Sequence, residues 1–121
     1  MSTRSDVGMW GESIAQRHLQ QRGYDILHRN WRYDHGEIDL IAKQRDTFVF
    51  VEVRTRHGDA FGAPEETINA RKQAKLIATA QAYLELHELR DVDWRIDVIA
   101  IDLDAKHAVK RLNHIECAIS N

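Results

Sequence analysis

Two carboxylates stand where carboxylates are costly. Asp39 lies between Ile38 and Leu40 in "GEIDLIAK", and Glu52 between Val51 and Val53 in "TFVFVEVRTR". Both segments read as β-strands, and the polar "KQRDT" between them reads as their turn. Centred between Arg45 and Asp46, that turn sets Asp39 opposite Glu52 and Glu37 opposite Arg54. It lacks the Asn-Gly pair of a tight hairpin, so a longer loop with the same centre would give the same register. Ile38, Leu40, Ala42, Val49, Val51 and Val53 then share one face with no polar member. The acids share the other face with Ile41, Phe48 and Phe50, so a helix is expected to cover part of it.

Directly opposed residues have Cβ atoms about 4.5–5.5 Å apart, so the two charges repel. Desolvating them costs several kcal/mol more. A divalent cation offsets both terms. Mg²⁺ is commonly held by one or two carboxylates plus water and phosphate, at about 2.0–2.1 Å. The competing reading is that each acid pairs with a nearby base. Arg32, His35, Arg54 and Arg95 are the candidates.

The remaining elements must position this pair. Residues from Val7 to Gln21 have a helical pattern, with Trp10, Ile14, Ala15, His18 and Leu19 near one face and Gly23 as the stop. "YDILHRNWRY" reads as a first strand. "TINARKQAKLIATAQAYLELHEL" is the clearest helix, with a stripe of Leu76, Ile77, Ala80, Tyr83 and Leu84. "WRIDVIAID" and "LNHIECAI" read as a fourth strand and a fifth, the latter at the sheet edge. The order α-β-β-β-α-β-β argues an α/β fold: a mixed sheet flanked by helices.

The chain has 121 residues, 43% apolar and 30% charged, which suits a single globular domain over residues 1–121. Its net charge of −2 counts mildly against a general nucleic-acid coat, though an acidic metal site with a basic rim has the same balance. No apolar run approaches the roughly 20 residues of a membrane span. "MSTRSDVGMWGES" lacks the apolar core of a signal peptide. The one cysteine, Cys117, leaves no internal disulfide and no cysteine-rich zinc site. These features favour the cytoplasm of a bacterium-like cell, with no membrane partner. The seven histidines form no spaced ligand motif, which argues against zinc. "GDAFGAP" has neither the lysine nor the placement of a phosphate loop.

Asp39, twelve residues, then Glu52-Val53-Arg54 resembles the D-(x)n-E-x-K core of restriction-endonuclease-like nucleases, at a spacing close to that of archaeal Holliday-junction resolvases. The whole chain resembles the YraN family of uncharacterised bacterial proteins. The matching pieces, in order, are "GMWGESIAQRHLQQRGYDILHRNWR", "GEIDLIA", "FVFVEVRTR", "ARKQAKLIATAQAYL" and "RIDVIAI". The resemblance implies a restriction-endonuclease-like fold. It also implies a Mg²⁺- or Mn²⁺-dependent endonuclease acting on DNA rather than RNA, including branched or structured DNA, and a homodimer. It places Glu12, Asp39, Glu52 and the carbonyl of Val53 on the metal. Arg54 stands where the catalytic lysine would be, a departure from the general pattern. Arginine binds phosphate well but is a poor proton carrier.

Several residues keep two readings. Glu37 either pairs with Arg54 or joins the metal shell. Arg56 either contacts phosphate or caps a solvated strand end. Lys72 and Lys75, with Gln73, either meet DNA phosphates and set the site or form an ordinary charged helix face with Arg71. Asp97 in "RIDVIAI" is a structural partner for an arginine or a support to the site. At the level of function, the alternatives are a nucleic-acid-binding module of the same fold without turnover and, with no surface marking it, a scaffold subunit.

Overall fold

Helix α1 (Arg4–Gln21) stops where the sequence runs out of residues that tolerate helix. Gly23 takes φ +87°, the left-handed conformation that costs glycine nothing. Tyr24 N–H then donates to Leu19 O (3.1 Å) and Gly23 N–H to Gln20 O (3.1 Å), closing the last carbonyls. Leu19 and Tyr24 enter one apolar cluster with Ala15. Trp10 departs from the expected helix face. It is 51% exposed, and its indole N–H donates to His107 O at 2.9 Å. An indole needs such an acceptor, and the sheet interior offers it none.

In the computed structural model, which describes residues 4–57 and 68–119 but not the side chains of residues 4–6, five strands follow. They are β1 (Asp25–Tyr33), β2 (Gly36–Gln44), β3 (Thr47–His57), β4 (Asp93–Leu103) and β5 (Val109–Ile119). Helix α2 (Ala70–Leu86) lies between β3 and β4 in the chain. The strands lie in sequence order, antiparallel except for β3 and β4, which are parallel. The element order is therefore α-β-β-β-α-β-β, a mixed sheet with helices packed against it. The "GDAFGAP" loop and Thr67, the expected first residue of the second helix, fall outside the described residues. Asn69 caps that helix, accepting from Lys72 N–H at 2.9 Å.

Each helix covers one face. On the α1 side lie Leu40, Ala42, Val49, Val51, Ile99 and Ile101 with Ala15 and Leu19. On the α2 side lie Ile41, Phe48, Phe50, Ile96 and Val98 with Leu76, Ala80, Tyr83 and Leu84. Ile38 departs from the expected alternation and packs on the α2 side beside Trp31. No helix among the described residues is long and apolar enough to cross a membrane.

The β2–β3 hairpin has the expected register, from Gln44↔Thr47 to Leu40↔Val51. Its turn is tight: Arg45 at φ +54° and Asp46 alone connect the strands. Beyond Leu40, β2 remains paired with β1, through Trp31↔Ile38, Arg32↔Glu37 and Tyr33↔Gly36. Glu37 therefore opposes Arg32 (3.7 Å), and the expected pairing of Glu37 with Arg54 is replaced. A central strand has two neighbours, and β1 claims this end of β2.

Candidate functional site

Asp39 and Glu52 sit one step beyond the last β2–β3 ladder pair. There the side chain of Asp39 takes over from the ladder: its Oδ2 accepts the Val53 N–H at 2.8 Å. Glu52 is 3% exposed and lies against Asp39. Burial, then the charge of Glu52, push the Asp39 carboxyl up to about 8, against the pull of the Val53 N–H. Glu12 adds a smaller push in the same direction. Two buried acids this close repel when both are ionised, which is the cause of the rise at Asp39.

Three elements converge on this pair. Gly11 brings α1 against β3: a Cβ there would collide with Thr55. This approach sets Glu12 beside the strands. Its Oε1 is buried without a hydrogen-bond partner, and the nearest cation is Arg29 Nε of β1 at 3.5 Å. Arg29 is itself anchored on α1 by Met9 O and Ser13 Oγ, both at 3.1 Å. From α2, Lys72 Nζ reaches Glu52 Oε2 at 3.5 Å. From β3, Arg54 Nη1 reaches the same oxygen at 3.5 Å. Among the described residues, no three His, Cys, Asp or Glu side chains come close enough to enclose a metal ion by themselves. Asp39 and Glu52 form a pair, and Glu12 stands off from them beside Arg29.

Other expected site residues are engaged elsewhere. Arg56 donates to Asp102 Oδ1 at 2.8 Å, and Arg111 binds the other oxygen at 3.0 Å. Asp102 is 4% exposed. Burial pushes its carboxyl up, but the two arginines outweigh this and hold it below the ordinary value. Arg56 is thus committed to a buried fork rather than to a solvated strand end. Gln73 Nε2 donates to Ile68 O at 3.2 Å, bracing the start of α2. Lys75 is exposed one turn beyond Lys72.

Asp97, fully buried, belongs to a second network. Arg95 Nε (3.0 Å), His114 Nε2 (2.9 Å) and Cys117 N–H (3.0 Å) all donate to it. His114 Nδ1 in turn faces His18 Nε2 of α1 at 3.1 Å. The Asp97 acceptor fills a break in the sheet, since the β4–β5 register shifts between Ile96 and Val98 and Cys117 takes φ +51°. Sequence reading missed Arg29, Asp102 and His114. Arg29 meets α1 from β1, Asp102 meets Arg56 through the β3–β4 pairing and Arg111 through β4–β5, and His114 meets Asp97 through β4–β5; neither β1 nor β5 has a strong apolar alternation to announce it.

The chain aligns with known proteins along most of its length. The pattern of uncharacterised protein family UPF0102 matches residues 11–101, which include Glu12, Asp39, Glu52 and Asp97. A UPF0102 protein of Roseiflexus castenholzii is 44% identical over 117 residues, covering 96% of this chain and 94% of the relative. One from Clostridium botulinum is 41% identical over 113 residues, covering 90% and 92%. One from Beutenbergia cavernae is 38% identical over 115 residues, covering 95% and 97%. With the YraN resemblance carried by the same segments, the chain belongs to the uncharacterised protein family UPF0102.

Proposed function

We propose that the chain is a Mg²⁺- or Mn²⁺-dependent nuclease hydrolysing phosphodiester bonds in DNA. One observation carries the reading. Asp39 has another buried acid, Glu52, as its neighbour across the strands, and burial with that charge raises the Asp39 carboxyl even though Arg54 and Lys72 lie beside Glu52. A buried acid pair under such repulsion gains most from a divalent cation, which lets both ionise.

The donor set fits such an ion. Asp39 and Glu52 offer hard oxygens, and the carbonyl of Val53 adds one from β3. Glu12 Oε1, buried with no hydrogen bond and only the Arg29 ion pair at 3.5 Å, stands in reserve. Oxygen-only donors suit Mg²⁺ and Mn²⁺ rather than zinc. Two carboxylates leave room for water and phosphate, as Mg²⁺ sites usually do. When bound, the ion supplies Lewis-acid chemistry, acidifying water and offsetting phosphate charge.

The protein's own groups do the rest. Arg54 and Lys72 both lie against Glu52 Oε2. With Glu52 committed to a bound cation, Arg54 and Lys72 would stand beside the site as the positive groups available to incoming phosphate. Arg54 binds phosphate oxygens in a fork. Lys72 supplies the ammonium that the Glu52-Val53-Arg54 segment lacks, brought in from α2 instead of β3. A lysine can also carry a proton, which arginine cannot. The binding module without turnover draws support from Arg54. Lys72 weighs against it, as do three acids that would repel phosphate without a metal. Cutting of both strands would call for two copies of the chain.

The test is cleavage of labelled duplex, single-stranded and four-way-junction DNA with Mg²⁺ or Mn²⁺, beside an EDTA control. Metal-dependent cutting is expected, and Glu52→Ala should slow it on the order of 10³-fold, the loss of several kcal/mol of transition-state stabilisation. Binding without cutting on every substrate would favour the module instead.

A further inference from the structure

Tyr33 is 48% exposed, yet its ring lies nearly parallel to Trp31, 6.0 Å between centroids and 11° between planes. Trp31 stands edge-on to Tyr83 (5.2 Å, 86°), and Tyr83 edge-on to Phe50 (5.6 Å, 76°). Tyr83 and Phe50 are core residues. The outer ring is thus backed by a chain of aromatics running into the core. Core packing alone explains Trp31. It does not explain a second ring stacked on it and left half in water.

The position of the ring links it to the carboxylates. Tyr33 pairs with Gly36, and Thr79 of α2 packs so close to Gly36 that a Cβ would collide with it. Asp39 lies three residues along β2 from Gly36, about 10 Å. Thr79 lies seven residues along α2 from Lys72, which touches Glu52, again about 10 Å. The two routes agree. Exposed Lys75 lies between them on α2, so a ridge with two ammonium groups leads from the carboxylates toward the Tyr33 ring.

Such a ridge matches a nucleic-acid backbone, and such a ring matches a base. Base stacking on an aromatic side chain is sequence-tolerant. A base inside a duplex has both faces covered by its neighbours, whereas an unstacked base has a face to offer. We propose that Tyr33, backed by Trp31, is a stacking platform for an unpaired base on the strand whose phosphates pass Lys75 and Lys72 to Asp39 and Glu52. The position of that phosphate rests on the nuclease reading; the stacking does not. The substrate class that follows is a strand with at least one unpaired base, such as a single strand, a frayed end or a branch, rather than continuous duplex.

The test is fluorescence anisotropy in EDTA with a labelled oligothymidylate and, separately, a blunt, fully paired duplex. Wild type, Tyr33→Ala and Tyr33→Phe are compared, with thermal melts to show that each is folded. Tyr33→Ala should weaken single-strand binding about 10-fold, while Tyr33→Phe and all duplex affinities change by less than about twofold. Unchanged single-strand affinity in Tyr33→Ala, equal loss on the duplex, or no single-strand binding by wild type would overturn the platform. No metal is present and no cutting is read. A protein that stacks the base but never cuts would defeat the nuclease reading alone. One that cuts while Tyr33→Ala binds normally would defeat the platform alone.

Discussion

Asp39→Asn should make the metal-free protein more stable at alkaline pH. The folded Asp39 carboxyl is raised from 3.8 to about 8 by burial and by Glu52. A raised carboxyl contributes stability that is fully present below its unfolded value and lost as pH rises through its folded value. Between roughly pH 4 and pH 8 the folded chain holds a proton that the unfolded chain has released, so stability falls by up to about 1.4 kcal/mol per pH unit. Asparagine keeps an acceptor for the Val53 N–H and can donate to Glu52, but it never ionises. In EDTA at pH 9 the variant should exceed wild type by about 2–4 kcal/mol, less than full linkage because Arg54 and Lys72 relax onto the new charge. At pH 4 the two should melt together. If Asp39 instead served as the partner of an arginine, the substitution would destabilise the chain at every pH above 4. Thermal melts across that range decide between the two.

Asp97→Ala should do the reverse. Burial alone would push this carboxyl up, but His114, Arg95 and the Cys117 N–H together hold it below its ordinary value. A lowered carboxyl contributes stability that is present above the unfolded value of 3.8 and lost as pH falls through the folded one. Removing it takes from the largely buried Arg95 its closest carboxylate, leaving it Tyr24 OH at 2.7 Å and Glu116 at 3.7 Å, and leaves an amide at the β5 irregularity without its acceptor. The expected cost at pH 7 is about 3–5 kcal/mol, as for one partner lost from a buried ion pair. The gap between variant and wild type should narrow as pH drops below 4. Denaturant melts at pH 7 and pH 3 measure it. A loss that persists unchanged at pH 3 would contradict the assignment of the network to the charged carboxylate.

Asp39 and Asp97 are alike in sequence, each an acid inside an apolar strand. In the fold each accepts a backbone N–H from a neighbouring strand where the ladder is irregular or ends. What separates them is the neighbour across the gap. Asp97 meets an arginine and a histidine, whereas Asp39 meets another acid. The first arrangement is complete as it stands. The second leaves two carboxylates in repulsion, with Arg54 and Lys72 on Glu52 alone. That difference is what the proposed metal site rests on.

Part of this was legible in the residues. The β2–β3 register followed from keeping Leu40, Ala42, Val49 and Val51 on one face, because a one-residue slip would have exposed them all. Helix α2 followed from the period of Leu76, Ala80, Tyr83 and Leu84. The partner of Glu37 was not legible, since β2 has a neighbour on each side and the pattern of β1 is weak. Nor was the approach of Lys72 to Glu52, which depends on how α2 docks and not on any local spacing. Arg56 looked free because Asp102 and Arg111 reach it only through the β3–β4 and β4–β5 pairings. Tyr33 stood out only once its ring was seen stacked on Trp31 rather than buried beside it.

The central claim is that Asp39 and Glu52 together hold a divalent cation. The most direct measurement is calorimetric titration of Mn²⁺ into the protein at pH 7, in two buffers of different ionisation enthalpy. The account predicts one ion bound per chain with release of about one proton, the one Asp39 holds, and loss of both signals in Glu52→Ala. Binding that survives Glu52→Ala, or that releases no proton, would contradict it.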